Sequence, residues 1–171
     1  MTTPAPTPPV YRAPMRSRRS DVADGGAVER GLREGLCGFG GVLPRVPATP
    51  SEAAASAAGF DERLARRIER FAAAPEGAFV WTRDTGGFLW LGRIEGPWRY
   101  DDRADARAVD LVHVRDCAWL NTPTPLSDVP PAVPATFARG GLNWQQTHDA
   151  HVSVQTERLW DAARANRTTP G

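Results

Sequence analysis

The hydrophobic pattern of this chain changes period at Pro75-Glu76-Gly77, and that change sets the fold class. Before it, Leu64, Ile68 and Phe71 recur at helical spacing. After it, Phe79-Val80-Trp81-Thr82 and the run from Phe88 to Ile94 read as two strands, and Asp84-Thr85-Gly86-Gly87 between them suits a hairpin turn. On the returning strand Phe88, Trp90 and Ile94 share one face with Gly92, while Leu89, Leu91 and Arg93 share the other. The Trp90 face is expected to be the buried one. Gly96-Pro97 then bends the chain, because proline cannot donate to a ladder. A polar loop is expected from Asp101 to Ala108. The longest strand is expected from Val109 to Trp119, with Leu111, His113, Arg115, Cys117 and Trp119 on one face.

The flanks are helical or irregular. Asp61 caps an expected helix from Glu62 to Ala73, with Arg63, Arg66, Arg67 and Arg70 read as a solvated face and phosphate binding as the alternative. Ser51 is the expected cap of an Ala-rich helix from Glu52 to Ala58. A short helix is expected from Glu29 to Leu36, ended by the glycines around Phe39. A proline-rich loop from Asn121 to Pro134 leads to a helical turn near Val133 to Ala138. A last strand lies in Leu142 to Thr147, and a terminal helix from Val152 to Ala165 docks through Val154, Leu159 and Trp160. Residues 1–27 are rich in Pro, Ala and Arg and nearly lack large apolar side chains, so they are expected to form a disordered tail. Its cluster Arg16-Ser17-Arg18-Arg19 is read as solvated, with a phosphate-touching arm as the alternative. One α+β domain is expected over 28–165, and 166–171 as a disordered C-terminus.

Charge constrains the partners. Lys+Arg number 21 against 20 Asp+Glu, so no strong overall field draws the molecule to nucleic acid. Lysine is absent, and the abundance of Arg with Ala, Gly and Pro follows from GC-rich codons, which suggests a bacterial source. The position of each arginine therefore matters more than the total. Cys37 and Cys117 stand far apart without a CxxC partner, which argues against a zinc site or a disulfide framework. No run approaches the ~20 apolar residues that span a bilayer, and no apolar stretch marks a signal peptide. A cytoplasmic protein without a membrane partner is expected.

Catalytic motifs are missing. There is no GxSxG, no GK[ST] phosphate loop and no GxGxxG after a strand. His148 and His151 lack a third ligand at usable spacing. His113 and Cys117 lie four apart on one strand face, ~13 Å by strand rise, too far for a nucleophile pair. A chain that is not an enzyme and needs no cofactor is the expectation. What remains is a set of aromatics, most of them required for a core. Trp98 and Tyr100 differ, because they flank Arg99 just after the bend. Either they stack on a base while Arg99 meets phosphate, or they close one end of the β unit.

Three runs carry a resemblance. Gly77-Ala78-Phe79-Val80-Trp81-Thr82, then Phe88 through Tyr100 with its Gly92-Arg93-Ile94-Glu95-Gly96-Pro97-Trp98-Arg99-Tyr100, then Val112-His113-Val114-Arg115-Asp116-Cys117-Ala118-Trp119-Leu120, resemble PUA-like, EVE-like modules. These are similar to N-terminal regions of Mrr-type and McrBC-associated restriction proteins. An upstream GxxgiGW strand in that pattern aligns with Glu34 to Gly41, where Gly41 replaces the tryptophan. The resemblance covers about Leu32 to Leu120. It implies a small PUA-like β pseudo-barrel with flanking helices. It also implies a nucleic-acid reader, DNA before RNA, with a modified base flipped into a pocket and a separate effector protein. On that reading Trp81, Trp98 and Tyr100 stack, Arg93 and Arg99 meet phosphate or base edge, and His113 bonds the base edge. The alternative is a protein-interaction or regulatory module whose aromatics are all structural.

Overall fold

The computed structural model describes residues 6–168. In chain order the elements are β1 (Val10–Arg12), α1 (Gly26–Glu34), β2 (Leu36–Phe39), α2 (Pro50–Ala58), α3 (Glu62–Ala73), β3 (Phe79–Arg83) and β4 (Leu89–Ile94). Then follow β5 (Arg99–Tyr100), α4 (Ala104–Ala108), β6 (His113–Trp119), α5 (Ala132–Ala138), β7 (Gln145–Gln146) and α6 (Val152–Thr168). The architecture is mixed α+β: a curled sheet of order β2-β6-β4-β3-β1-β7 forms a half-barrel, and β5 pairs with β6. Among the described residues no helix is long and apolar enough to cross a membrane.

The curl has a local cause. β4 and β5 both run antiparallel to β6, Ile94 opposite Cys117 and Arg99 opposite Val114. The Gly96-Pro97 bend therefore places two extra residues against β6, a bulge that increases local twist. Arg115 stabilises this bulge. Its Nε donates to Gly96 O at 2.7 Å, and its Nη1 donates to Phe71 O at 2.9 Å and Ala74 O at 2.6 Å. The last two carbonyls end α3, where a cation also complements the helix dipole. One buried guanidinium thus fixes α3 to the bend of the sheet.

Both faces of the sheet are covered. One core joins Leu64, Ile68 and Phe71 of α3 to Phe39, Val80, Ile94, Val114 and Trp98. The other joins Phe79, Trp81, Leu89 and Leu91 to Val133, Phe137 and Trp160 of α5 and α6. Each such apolar side chain contributes ~1.5–3 kcal/mol when fully buried. A sheet covered on both faces does not separate its faces by alternation. That corrects the expectation for β4: Leu89 and Leu91 are buried, Trp90 is half-buried with its Nε1 donating to Asp84, and Phe88 is 60% exposed in the turn.

The expected tail is shorter than 1–27. Residues 1–5 lie outside the described residues, and from Val10 the chain belongs to the fold. β1 runs parallel to β3, Val10 opposite Phe79, and antiparallel to β7. Val10, Tyr11, Ala13 and Met15 are buried, and Tyr11 stacks on Trp144 at 4.1 Å. Arg12 is buried too, with Nη1 donating to Thr136 O at 2.6 Å and Nη2 to Gln145 Oε1 at 2.9 Å. Four buried apolar side chains and paired main-chain groups offset the entropy that composition alone said could not be offset. At the other end α6 runs through Thr168, past the expected limit at Ala165, and Val154 is exposed whereas Trp160 docks. Within 101–108 the expected loop contains α4, and Thr49 rather than Ser51 caps α2.

Candidate functional site

Of the residues expected to form a site, Trp98, Tyr100 and His113 come together, whereas Trp81, Arg93 and Arg99 do not join them. Trp81 is 1% exposed in the second core, with its Nε1 donating to Thr156 Oγ1, so it offers no face to a ligand. Arg93 lies over the Phe79 ring and donates to Gly77 O. Arg99 pairs with Asp116 at 2.8 Å on the surface. Trp98 is buried, and Tyr100 is half-buried with its hydroxyl accepting from Leu43 N at 3.0 Å. Both pack on His113, whose ring is fully enclosed and whose Nε2 donates to Gly41 O at 2.9 Å. Trp98 and Tyr100 thus close one end of the half-barrel. Burial lowers the His113 pKa to about 4, against a smaller upward pull from the Gly41 bond and Asp110.

A cleft opens directly above this closed end. It has a volume of about 760 Å³, in the range of ligand sites. Its floor and walls are apolar: Phe39, Gly40, Gly41, Val42, Leu64 and Leu142. Its rim carries the guanidinium groups of Arg16, Arg18, Arg19, Arg67 and Arg107. Phe39 is 6% exposed, with the Arg67 guanidinium 5.6 Å from its ring centre and the His113 ring stacked on it at 5.2 Å.

Two carboxylates also border the cleft, and both are engaged by the backbone. Asp61 caps α3, accepting from Arg63 N at 3.0 Å and Leu64 N at 3.1 Å. Asp110 accepts from Ser17 Oγ at 2.6 Å and Gly41 N at 3.0 Å, holding the Arg16–Arg19 segment against the end of β2. Asp110 does this with a φ of 53°, a left-handed conformation that aspartate tolerates better than most residues. Gly41 has a φ of 123°, and a Cβ there would come within 2.8 Å of Leu64. Backbone strain thus disfavours a larger residue at the cleft floor.

The rim arginines differ in how they are paired. Arg19 chelates Asp21 and Arg16 lies 3.6 Å from Asp24, both pairs exposed. Among the described residues no carboxylate lies within ion-pair distance of Arg18 or Arg67, although the charge of Asp61 acts on Arg67; both donate to Asn143 Oδ1. The Arg67 pKa is lowered, first by burial and then by the charge of Arg18. An incoming anion would meet guanidinium groups, those of Arg18, Arg67 and Arg107, that make no direct ion pair among the described residues.

The cleft residues were missed for a definable reason. Arg16 to Arg19 were singled out as a basic cluster, but assigned to a solvated tail. Their place at the rim depends on β1, which no local pattern announces. Arg67 belongs to the helix face expected to be solvated, although it sits three residues after Leu64, on the turn next to it. The two thiols stand apart from this chemistry. Cys37 and Cys117 are buried, and burial pushes Cys37 up to about 12 and Cys117 well above the usual thiol range.

A scan against protein-family models and a search of curated proteins find no match to this chain.

Proposed function

We propose that this chain is a non-catalytic nucleic-acid-binding reader, with its site in the arginine-rimmed cleft over Phe39 and Gly41. The observation that carries the reading is the pairing of an apolar lining with rim guanidinium groups that, among the described residues, make no direct ion pair. The apolar lining offers a base contact with Val42, Leu64 and Leu142 rather than an aromatic face, and the rim guanidinium groups suit stacking on a base or pairing with phosphate. The motifs that resemble PUA-like, EVE-like modules support the same reading. The half-barrel is read as a PUA-like pseudo-barrel, and Gly41 replaces the pattern's tryptophan at the cleft floor. The floor is thereby left open where that pattern places an indole. DNA comes before RNA as ligand, a modified base flipped into the cleft is the specific target, and a separate effector protein acts on the bound site.

Non-catalytic action is part of the proposal. Its support is that the candidate acid-base and nucleophilic groups are engaged or suppressed: His113 by Gly41 O, the two thiols by burial. A cytoplasmic location is proposed with it.

The test is titration of labelled single- and double-stranded oligonucleotides, with and without modified cytosine, across a salt series. Affinity is expected to fall as salt rises, because bound phosphates release counterions. A modified base is expected to bind more tightly than its unmodified counterpart. The burial of Trp81 and Trp98 favours one second reading, a protein-interaction module whose aromatics are structural. Absence of binding to every oligonucleotide at low salt would select it, with an acidic protein segment as the occupant of the cleft.

A further inference from the structure

A second hollow, of about 350 Å³, lies along α3 beside the cleft. Arg63, Arg66, Arg67, Arg70 and Asn143 line it. Arg67 lines the cleft as well, so one guanidinium belongs to both. The other three arginines extend from it at helical spacing, on one face covering ~10 Å of helix axis. Phosphates on one strand rise ~3.4 Å each along a duplex axis and lie farther apart along an extended single strand, so that length accommodates roughly two or three of them.

The chemistry of the hollow is narrower than that of the cleft. Its only aromatic wall is Trp144, which is 6% exposed and stacked on Tyr11, leaving no face for a base. Guanidinium and amide groups therefore dominate what a ligand meets there. Of the acids on the same helix, Glu62 approaches Arg66 only to 3.9 Å with both side chains mostly exposed, and Glu69 is also exposed. Among the described residues no carboxylate lies within ion-pair distance of Arg63 or Arg70. Solvated, at most weakly paired and regularly spaced cations fit a phosphate backbone, which positions a strand without reading its sequence.

We infer that this face of α3 is the path of the nucleic-acid backbone as it leaves the cleft. The inference rests on the reading of the cleft as a nucleic-acid site. It assigns two roles to two adjoining surfaces: the cleft selects the base, and α3 supplies sequence-independent affinity.

The experiment compares the full chain with its Arg63→Gln/Arg66→Gln/Arg70→Gln variant. Glutamine keeps helix propensity at these exposed positions, and melting curves confirm that the fold is retained. Two single-stranded probes are titrated across a salt series: a trinucleotide that occupies only the cleft, and a 12-mer that extends beyond it. For the 12-mer, affinity should fall at least about tenfold at low salt, and the salt slope should drop by about two units for three lost phosphate contacts. Trinucleotide binding should be unchanged. The Arg63→Lys/Arg66→Lys/Arg70→Lys variant should recover most of the 12-mer slope, since a phosphate accepts a point charge. Superimposed 12-mer titrations of wild type and glutamine variant, with Arg67→Ala still weakening both probes, would overturn the path along α3 and leave the cleft standing. Equal weakening of both probes by the glutamine variant would also overturn it. Wild-type protein that binds neither probe would remove the cleft reading, and the path with it.

Discussion

Arg18 and Arg67 donate to the same atom, the side-chain oxygen of Asn143. Two like charges from distant parts of the chain are thus held together by a neutral amide at the edge of an apolar cleft. Arg67 reaches that oxygen at 2.7 Å while its guanidinium covers Phe39. An arrangement of this kind is poorly compensated when empty and better compensated with an anion beside it.

Replacing Asn143 by aspartate tests that arrangement. The carboxylate would neutralise the pair within the protein. Asn143→Asp is expected to raise stability by up to ~1 kcal/mol, as for a partly exposed ion pair. Oligonucleotide affinity should fall about tenfold, the equivalent of ~1.4 kcal/mol. Thermal melts and fluorescence-anisotropy titrations read the two effects separately. Unchanged affinity would mean that Arg18 and Arg67 do not meet the ligand.

The N-terminal strand should behave as core. Tyr11 is buried and stacked on Trp144, so Tyr11→Ala should cost about 3 kcal/mol or more through lost burial and the cavity left behind. Urea denaturation gives the value. A midpoint equal to wild type would show that β1 is not packed on the sheet in solution.

The enclosed imidazole of His113 predicts a pH dependence. Its folded pKa, about 4, lies below the unfolded value of ~6.5. The unfolded chain therefore binds more protons between these values, and stability rises with pH across that window. The contribution, about 3 kcal/mol in full, is present above pH ~6.5 and lost as pH falls towards 4. His113→Gln should flatten the stability profile between pH 4 and 6.5 by close to one proton. A slope in that window identical to wild type would show that His113 is not buried as a neutral ring.

Much of this fold was legible in the sequence where the cause is local. The α3 boundaries follow from Asp61 as cap and from the Leu64, Ile68, Phe71 stripe, and the turn at Asp84 to Gly87 follows from its residues. The bend at Gly96-Pro97 was also legible, because proline interrupts a ladder. What could not be read has non-local causes. β1 is three residues long and is held by pairing with β3, far along the chain. The faces of β4 could not be ranked, because helices cover both sides of the sheet.

The candidate site was less legible for the same reason. Trp98, Tyr100 and His113 lie together in the fold, but they pack on one another, and Trp81 and Arg93 lie elsewhere. Arg115 and Arg12 illustrate a further blind spot. Composition assigns arginine to the surface, yet both are buried on carbonyl oxygens that only the folded chain brings together.

The central claim is that ligand binds in the cleft and not at the Trp98-Arg99-Tyr100 bend, and a paired titration tests it most directly. Arg67→Ala and Arg99→Ala are compared with wild type on one labelled oligonucleotide at several salt concentrations, with melting curves to confirm folding. Arg67→Ala should weaken binding about tenfold or more and lower the salt slope by about one unit. Arg99→Ala, which removes only a surface pair with Asp116, should superimpose on wild type. Weakened binding by Arg99→Ala together with unchanged binding by Arg67→Ala would contradict the account and return the site to the bend.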